Sequence, residues 1–342
     1  MKCFWGDFMK IVVLGTGTWG TALAQLLVDN GNDVIQYGID VNEVNDINNN
    51  HKNRKYFKDD VILPSSLKAT TSLEEAMEYQ DIIVLAVPTQ AIRSVLKQIK
   101  PLLVGQPYLV SVAKGFDVET NKRMSEVIRE VIPLTMRKEV VSLIGPGHAE
   151  EVILRLLTCV TSTSLDIECA KTIQKVFSND YFRVYTQMDE IGAEIGVAIK
   201  NTIALASGMI EGIGLGDNAR AALVTRGLAE MVRFGVFFGG EKSTYLGLTG
   251  LGDLMVTCNS YHSRNFQAGL EIGKEDSAKD FLRRNNKTVE GIRTCKVVHE
   301  IAKEKNISMP ITEAVYKVLF LEHKPSKVIL ELMNRSLKSE ER

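Results

Sequence analysis

The strongest signal for the fold lies in residues 10–30, which read KIVVLGTGTWGTALAQLLVDN. The run from Lys10 to Leu14 is apolar and β-branched, which is typical of a buried strand. A glycine-rich turn follows directly, and the apolar residues after it recur at helical spacing as far as Asn30. A strand, a glycine turn and a helix in this order predict the first unit of an α/β sheet.

The same alternation continues through the first half of the chain. Short apolar runs separated by amphipathic stretches predict parallel strands joined by crossover helices. Two further strand-like runs between Thr158 and Val184 flank a helix and extend the sheet. We therefore predict an α/β Rossmann-type doubly wound sheet. The predicted strands are residues 10–14, 34–37, 82–86, 108–112 and 140–144, and the predicted helices are residues 18–30, 72–79, 91–100 and 121–131.

The second half of the chain has a different pattern. After residue 189 strand signals nearly vanish, and segments 196–209, 220–237 and 289–305 have the apolar spacing of helices. We therefore predict an all-α C-terminal domain. The predicted domains are residues 9–192, which bind a dinucleotide, and residues 193–336, which bind substrate; residues 1–8 are predicted to be an N-terminal extension.

Composition limits the possible partners. The formal net charge of the 342 residues is -1, so the chain has no general field that attracts nucleic acid or an anionic membrane. No apolar run is long enough to span a bilayer. The cysteines number 5 and lack metal-ligand spacing, which indicates reduced thiols and a cytoplasmic protein without a metal site.

The glycine turn itself predicts a ligand. Gly15-Thr16-Gly17-Thr18-Trp19-Gly20 matches the motif G-x-G-x-x-G between a strand and a helix, where the motif has a chemical use. Gly15 and Gly17 let the backbone turn sharply and approach a pyrophosphate, and Gly20 lets the helix pack on the strand. The helix N-terminus adds unpaired N–H groups and a favourable dipole. We expect a dinucleotide here; the alternative is a glycine turn that binds nothing.

The end of the second strand bears on which dinucleotide is used. An acid there bonds the ribose 2′-hydroxyl of NAD, whereas a basic residue accommodates the 2′-phosphate of NADP. The stretch reads Tyr37-Gly38-Ile39-Asp40, in which Ile39 is neither acidic nor basic. Asp40 either reaches the ribose or caps the next helix. These residues leave NAD and NADP open.

Several later motifs carry a more specific resemblance. Lys114 follows a strand, at the edge where open parallel sheets bind ligands. Six later motifs accompany this lysine: GVAIKN at 196–201, TRGLAE at 225–230, GLGDLMVT at 250–257, SRN at 263–265, VEG at 289–291 and MPITE at 309–313. Together with Lys114, these motifs closely resemble the bacterial form of the glycerol-3-phosphate dehydrogenase family. The resemblance runs from Lys10 to about Leu332 in the family's order and spacing. It implies a Rossmann domain joined to a helical domain, a homodimer, and a cytoplasmic supply of glycerol 3-phosphate for phospholipid synthesis.

The residues suit the reaction that the resemblance implies, hydride transfer between NAD(P)H and dihydroxyacetone phosphate. Lys200 lies in an apolar helical stretch with room beside it at Gly196, and a buried lysine can act as general acid or base. Asp253 would orient Lys200 and bond a substrate hydroxyl. Lys114 would hold the substrate oxygen and its developing charge.

The remaining site residues recognise substrate phosphate and cofactor. Arg264 offers a planar fork for the phosphate, and Asn201, Thr257 and Asn265 supply neutral donors. By resemblance alone, Arg264 also approaches the cofactor and Glu290 lies on the cofactor side. The predicted cofactor-binding residues are Gly15, Gly17, Thr18, Trp19, Gly20, Ile39, Lys114, Ala149, Arg264, Val289 and Glu290, and the predicted substrate-binding residues are Lys114, Gly145, Gly147, Lys200, Asn201, Asp253, Thr257, Ser263, Arg264 and Asn265.

Two of these positions depart from the family pattern. The family commonly has a basic residue at the position of Ile39, which puts NADP preference in doubt. It commonly has Ser, Thr or Cys at the position of Gly147, so one hydroxyl contact is lost or replaced by water.

Two rival functions share the glycine motif. A 3-hydroxyacid dehydrogenase of the same architecture is disfavoured by the two lysines together with Asp253 and the SRN segment. A catalytically silent dinucleotide sensor would have lost Lys200 or Asp253, and both are present. A different alternative, a second phosphate loop at Gly212, Gly214 and Gly216, lacks a preceding strand, so we predict a flexible helix connection there.

Overall fold

The computed structural model describes residues 8–117, 119–285, 288–337 and 339–340. The expected N-terminal extension, residues 1–8, therefore lies outside the described residues except for Phe8. The chain divides into two compact units, residues 1–194 and 195–342. The boundary between the units falls inside one helix, Glu190–Ile213.

The first unit is built on a sheet that confirms the predicted fold class. The strands described form one sheet in the order β3-β2-β1-β4-β5-β6-β7-β8. The order reverses between β1 and β4, which is the position at which open α/β sheets bind ligands, beyond the carboxyl ends of their strands. The strands are β1 (Lys10–Leu14), β2 (Asp33–Tyr37), β3 (Lys68–Thr70), β4 (Ile82–Leu85), β5 (Tyr108–Ser111), β6 (Val141–Ile144), β7 (Thr158–Thr163) and β8 (Phe182–Gln187).

Side-chain alternation along the strands divides the core between the two faces of the sheet. Ile11 and Val13 of β1 pack on one face, and Val12 and Leu14 pack on the other. The first face is covered by α1 (Thr18–Asp29), α2 (Val41–Asn50), α6 (Ala149–Val152) and α7 (Ile167–Phe177), and the second by α3 (Leu73–Ala76), α4 (Thr89–Ile99) and α5 (Met124–Val131). Short 3-10 helices lie at Met77–Tyr79, Lys100–Leu102 and Leu134–Met136.

Three features of the sheet region go beyond the predicted elements. Strand β3 pairs parallel to β2 at one edge, although KAT contains no apolar run. Strand β7 pairs antiparallel to β6, whereas β8 runs parallel to β7. Helix α2 forms from the polar segment VNEVNDINNN, and Asp40 caps it by accepting a hydrogen bond from the backbone N–H of Asn42 at 2.9 Å.

In the second unit the described residues form helices and no strand, as predicted. Helix α8 (Glu190–Ile213) is long and apolar enough to cross a membrane, but the apolar window is wholly buried in the protein, as in a core helix. A 3-10 turn at Lys242–Leu246 and a π-helix at Leu248–Gly252 precede α10. The remaining helices are α9 (Gly216–Phe237), α10 (Asp253–Cys258), α11 (Arg264–Glu275), α12 (Lys279–Arg284), α13 (Glu290–Glu304), α14 (Pro310–Phe320) and α15 (Pro325–Met333).

Candidate functional site

The glycine loop joins β1 to α1 with a geometry that only glycine permits. Gly15 has φ +122°, and a Cβ there would lie 2.5 Å from the carbonyl oxygen of Ala86. A Cβ at Gly20 would overlap the carbonyl oxygen of Gly15. By contrast, a Cβ at Gly17 would meet no atom within 4 Å. Gly15 thus lets the loop pack against the residue that follows β4, Gly20 lets α1 pack against the loop, and Gly17 leaves the outer side of the loop open.

The open side of the loop has the donors that a pyrophosphate requires. Gly17 is the N-cap of α1 and has no side chain to cap the first N–H groups of that helix. Among the described residues, the indole Nε1 of Trp19 is buried and has no hydrogen-bond partner. Thr18 is the first residue of α1. This loop therefore fits a dinucleotide.

At the end of β2, Ile39 and Asp40 follow Gly38. The Ile39 side chain is 89% exposed. Asp40 caps α2 with Oδ1, and its Oδ2 lies 3.0 Å from the Nζ of Lys55. The same ammonium lies 2.5 Å from Oε1 of Glu43, whose side chain is only 5% exposed. Of the two possibilities left open for Asp40, capping of the next helix is observed.

Lys114 lies beyond β5 and reaches the loop that follows β6. Its Nζ donates to the carbonyl oxygen of Gly145 at 2.7 Å and lies 6.0 Å from the centre of the Trp19 ring. Gly145 has φ +143°. A Cβ at Gly147 would lie 2.9 Å from the Trp19 ring, so the departure at Gly147 makes room for the indole. Ala149 is buried and begins α6.

In the second unit, Lys200 and Asp253 form a buried ion pair. Lys200 Nζ lies 2.5 Å from Oδ1 of Asp253, with side chains 5% and 1% exposed. The ammonium also donates to the hydroxyl of Thr257 at 2.7 Å, and that hydroxyl donates to the backbone carbonyl of Asp253 at 2.6 Å. Thr257, predicted as a phosphate donor, is thereby part of the lysine's own surroundings.

The π-helix Leu248–Gly252 delivers Asp253 to this pair. π-helical turns are rare and frequent at functional sites. A Cβ at Gly196 would lie 2.5 Å from the carbonyl oxygen of Thr249, so the π-helix packs directly against α8. Gly196 does leave room beside Lys200, and backbone of the π-helix occupies it.

Asn201, the residue after Lys200 on α8, belongs to a polar cluster. Asn265 donates from Nδ2 to Oδ1 of Asn201 at 3.0 Å and accepts from the backbone N–H of Gly291 at 2.8 Å. This cluster joins three segments of the family motifs. Ser263 caps α11, and the next residue, Arg264, is exposed. Val289 is the N-cap of α13, and Glu290, the first residue of α13, is half-buried.

Sequence reasoning missed a close helix crossing in the second unit. Gly208 and Gly212 of α8 face Gly269 and Gly273 of α11, and a Cβ at any of the four would overlap backbone of the opposite helix. Gly212 therefore lies inside α8 and not in a flexible connection. Gly214 does lie between α8 and α9, and Gly216 is the first residue of α9. Paired G-x-x-x-G spacing at 208–212 and 269–273 was the available signal.

The first turns of α8 hold a second feature that the sequence did not reveal. Within the first unit, Glu194 accepts hydrogen bonds from the hydroxyls of Ser125 and Ser142, each at 2.7 Å, and from Arg123 at 3.0 Å. Burial raises the pKa of Glu194 above its usual range. Burial also opposes ionisation of Glu190, but the bidentate hydrogen bonds from Arg129 hold the pKa of Glu190 below its usual range. These bonds fix the first turn of α8 within the first unit.

Comparison with known proteins gives a consistent result along the chain. Profiles described as the NAD-dependent glycerol-3-phosphate dehydrogenase N-terminus and C-terminus match residues 10–170 and 189–330. Proteins named glycerol-3-phosphate dehydrogenase (NAD(P)+) from Exiguobacterium sp. and Bacillus thuringiensis are 46% and 48% identical, each over 97% of both chains. A crystal structure of glycerol-3-phosphate dehydrogenase from Coxiella burnetii matches with a TM-score of 0.87 and 33% identity, over 96% of this chain and 99% of that one.

Proposed function

Because the chain belongs to the NAD-dependent glycerol-3-phosphate dehydrogenase family, it interconverts sn-glycerol 3-phosphate and dihydroxyacetone phosphate with NAD(P)(H), and we propose that Lys200 is the acid–base group of this reaction. The observation that carries the proposal is the buried pair of Lys200 and Asp253. Burying a charge is expensive unless it is paired, so an ammonium in this position indicates a use for it.

A bound NAD(P)(H) would supply the hydride that reduces the carbonyl carbon of dihydroxyacetone phosphate, or would accept a hydride from the corresponding carbon of glycerol 3-phosphate. Residues 9–192 are proposed to bind the cofactor, with the pyrophosphate against the N-terminus of α1. Gly15 and Gly20 shape that loop, and the open side of Gly17 leaves room for phosphate oxygens. The proposed cofactor contacts are Gly15, Gly17, Thr18, Trp19, Gly20, Ile39, Lys114, Ala149, Arg264, Val289 and Glu290.

Lys200 has a proton to deliver as the carbonyl is reduced. Its ammonium protonates the developing alkoxide, and in the reverse direction the neutral amine accepts the hydroxyl proton. Asp253 balances the ammonium charge and fixes its direction through the 2.5 Å contact. Thr257 braces both groups, because its hydroxyl bonds the ammonium and the backbone of Asp253.

Substrate recognition is proposed to use cationic and amide groups. Lys114 stabilises negative charge on the substrate oxygen, an electrostatic role of the oxyanion type. Arg264 is exposed at the start of α11 and binds the phosphate through its planar fork. Residues 193–336 hold most of these contacts, and the proposed substrate-binding residues are Lys114, Gly145, Gly147, Lys200, Asn201, Asp253, Thr257, Ser263, Arg264 and Asn265.

We also propose the cellular setting that the family resemblance implies. The enzyme is a cytoplasmic homodimer that supplies glycerol 3-phosphate for glycerophospholipid synthesis. Light scattering on the purified protein tests the dimer, because a mass near the 38.0 kDa of one chain would contradict it.

The acid–base role is tested by following absorbance of NADH and of NADPH with dihydroxyacetone phosphate. Oxidation that requires the phosphate substrate, and that falls at least about a hundredfold in Lys200→Ala, supports the proposal. Lys327→Ala, which removes an exposed lysine from the same unit, serves as the matched control. Turnover that survives in Lys200→Ala, or that fails in the wild type while both cofactors bind, would overturn it.

A further inference from the structure

The residues that follow β2 lie beside the dinucleotide loop, at the position that contacts the ribose in sheets of this kind. A Cβ at Gly38 would overlap the side chain of Thr16 in that loop, so position 38 is closed to larger residues. Ile39 follows, and its side chain is 89% exposed. An isoleucine has neither a hydrogen-bond donor nor a charge to offer a phosphate.

The next residue adds negative charge at the same place. Asp40 uses one carboxylate oxygen to cap α2 and the other to contact Lys55 at 3.0 Å. Both contacts hold its pKa below the usual range, the hydrogen bond from Lys55 most strongly. Asp40 is therefore a fixed carboxylate beside Ile39 and can accept a hydrogen bond from a hydroxyl group.

Lys55 supplies positive charge beside Asp40, but two carboxylates already engage it. Its Nζ lies 2.5 Å from Glu43 as well as 3.0 Å from Asp40. The Glu43 side chain is 5% exposed and also accepts a hydrogen bond from the hydroxyl of Thr16. If Lys55 moved away to meet a phosphate, Glu43 would remain nearly buried without its cation, which is unfavourable.

We propose that this chain selects NADH over NADPH, because Ile39 and the cluster of Asp40, Lys55 and Glu43 exclude the 2′-phosphate. The cluster holds two carboxylates and one ammonium, so its net charge is negative. A 2′-phosphate brings further negative charge to this edge, whereas a 2′-hydroxyl can donate to a carboxylate. The inference rests on the proposed dehydrogenase function but concerns only which nicotinamide cofactor serves it.

Binding of fragments without nicotinamide tests the proposal apart from turnover. Calorimetry on the wild-type enzyme with ADP-ribose and with 2′-phospho-ADP-ribose is expected to give a Kd at least about tenfold lower for ADP-ribose. The ratio of kcat/KM for NADH to that for NADPH, with dihydroxyacetone phosphate, is expected to exceed about ten in the same direction. Equal or tighter binding of 2′-phospho-ADP-ribose would overturn the proposal while leaving the dehydrogenase function intact.

Substitution at position 39 tests the cause. Ile39→Arg adds a planar cation at an exposed position and is expected to tighten 2′-phospho-ADP-ribose at least about tenfold, with the gain lost at high salt. Ile39→Gln, a neutral side chain of moderate length, is expected to keep the wild-type preference. A gain equal in both variants, or none in Ile39→Arg, would refute the role of position 39. Failure of every fragment to bind would instead refute the dinucleotide site itself.

Discussion

Removing either charge of the Lys200–Asp253 pair is expected to destabilise the protein by about 3–5 kcal/mol. The two charged atoms lie 2.5 Å apart, and the side chains are 5% and 1% exposed. At an effective dielectric constant of about 20, unit charges about 4 Å apart attract each other by about 4 kcal/mol. In the intact pair desolvation offsets much of this attraction, but a single substitution leaves the other charge buried without the opposite charge that lies 2.5 Å away in the wild type.

A double-mutant cycle measures this coupling directly. Lys200→Met and Asp253→Asn each remove one charge at similar size, and the double variant removes both. The double variant is expected to be more stable than the sum of the single losses predicts, by about 2 kcal/mol or more. Urea unfolding followed by circular dichroism gives the stabilities, and hydrogen exchange within α8 reports that helix separately, because two units need not unfold together.

The same variants separate catalysis from stability. In folded protein at low temperature, Lys200→Met is expected to lower kcat by about a hundredfold to ten-thousandfold, the range of a lost general acid. A coupling free energy below about 0.5 kcal/mol would refute the buried ion pair. Retention of kcat within about tenfold in Lys200→Met would refute the proton-transfer role even if the coupling were large.

Three further predictions concern other parts of the chain. Gly15→Ala is expected to abolish ADP-ribose binding in calorimetry, because its φ of +122° and the 2.5 Å approach to Ala86 leave no place for a Cβ. Burial raises the pKa of Glu230 to about 7, although the hydrogen bonds that it accepts from Thr312 oppose this shift. The pKa of the same carboxyl in the unfolded chain is lower, about 4.5. The wild type should therefore lose roughly 3 kcal/mol of folding stability as the pH rises from about 4.5 to 7. Urea unfolding of Glu230→Gln should show no such loss. If the free energy of unfolding of Glu230→Gln fell with pH as steeply as that of the wild type, the prediction would be contradicted. Gly269→Ala is expected to lower the free energy of unfolding by about 1–3 kcal/mol in the same assay, because the added Cβ overlaps backbone of α8.

The sequence predicted the central sheet because its strands are continuous apolar runs. The predicted ends of β1, residues 10–14, agree with the structure, and β4 and β5 differ from their predictions only at the C-terminal end. Strand β3 could not be predicted, since three residues without an apolar run owe their conformation to pairing with β2. The antiparallel direction of β7 also leaves no trace in its own sequence, because direction depends on the path of the chain after α6.

For the candidate site, residue types were easier to predict than contacts. The sequence placed Asp253 as the partner of Lys200, and the structure brings these two together. It assigned Thr257 to substrate phosphate, although that hydroxyl bonds Lys200 and the backbone of Asp253. The cause lies in the spacing of Asp253 and Thr257 on α10, which turns the hydroxyl back toward the preceding turn, where threonine commonly bonds a helical carbonyl.

The glycines of α8 and α11 connect packing distant from the ion pair to the geometry of the site. A glycine inside a helix normally weakens it by about 1 kcal/mol relative to alanine. Here the four glycines let two helix backbones approach closely, and α11 begins with the segment that contains Asn265. The separation of the helices therefore sets the 3.0 Å hydrogen bond between Asn265 and Asn201, next to Lys200. A larger residue at the crossing would move α11 outward and lengthen this bond, so Gly269→Ala should weaken substrate binding as well as stability, although residue 269 lies beyond the predicted site.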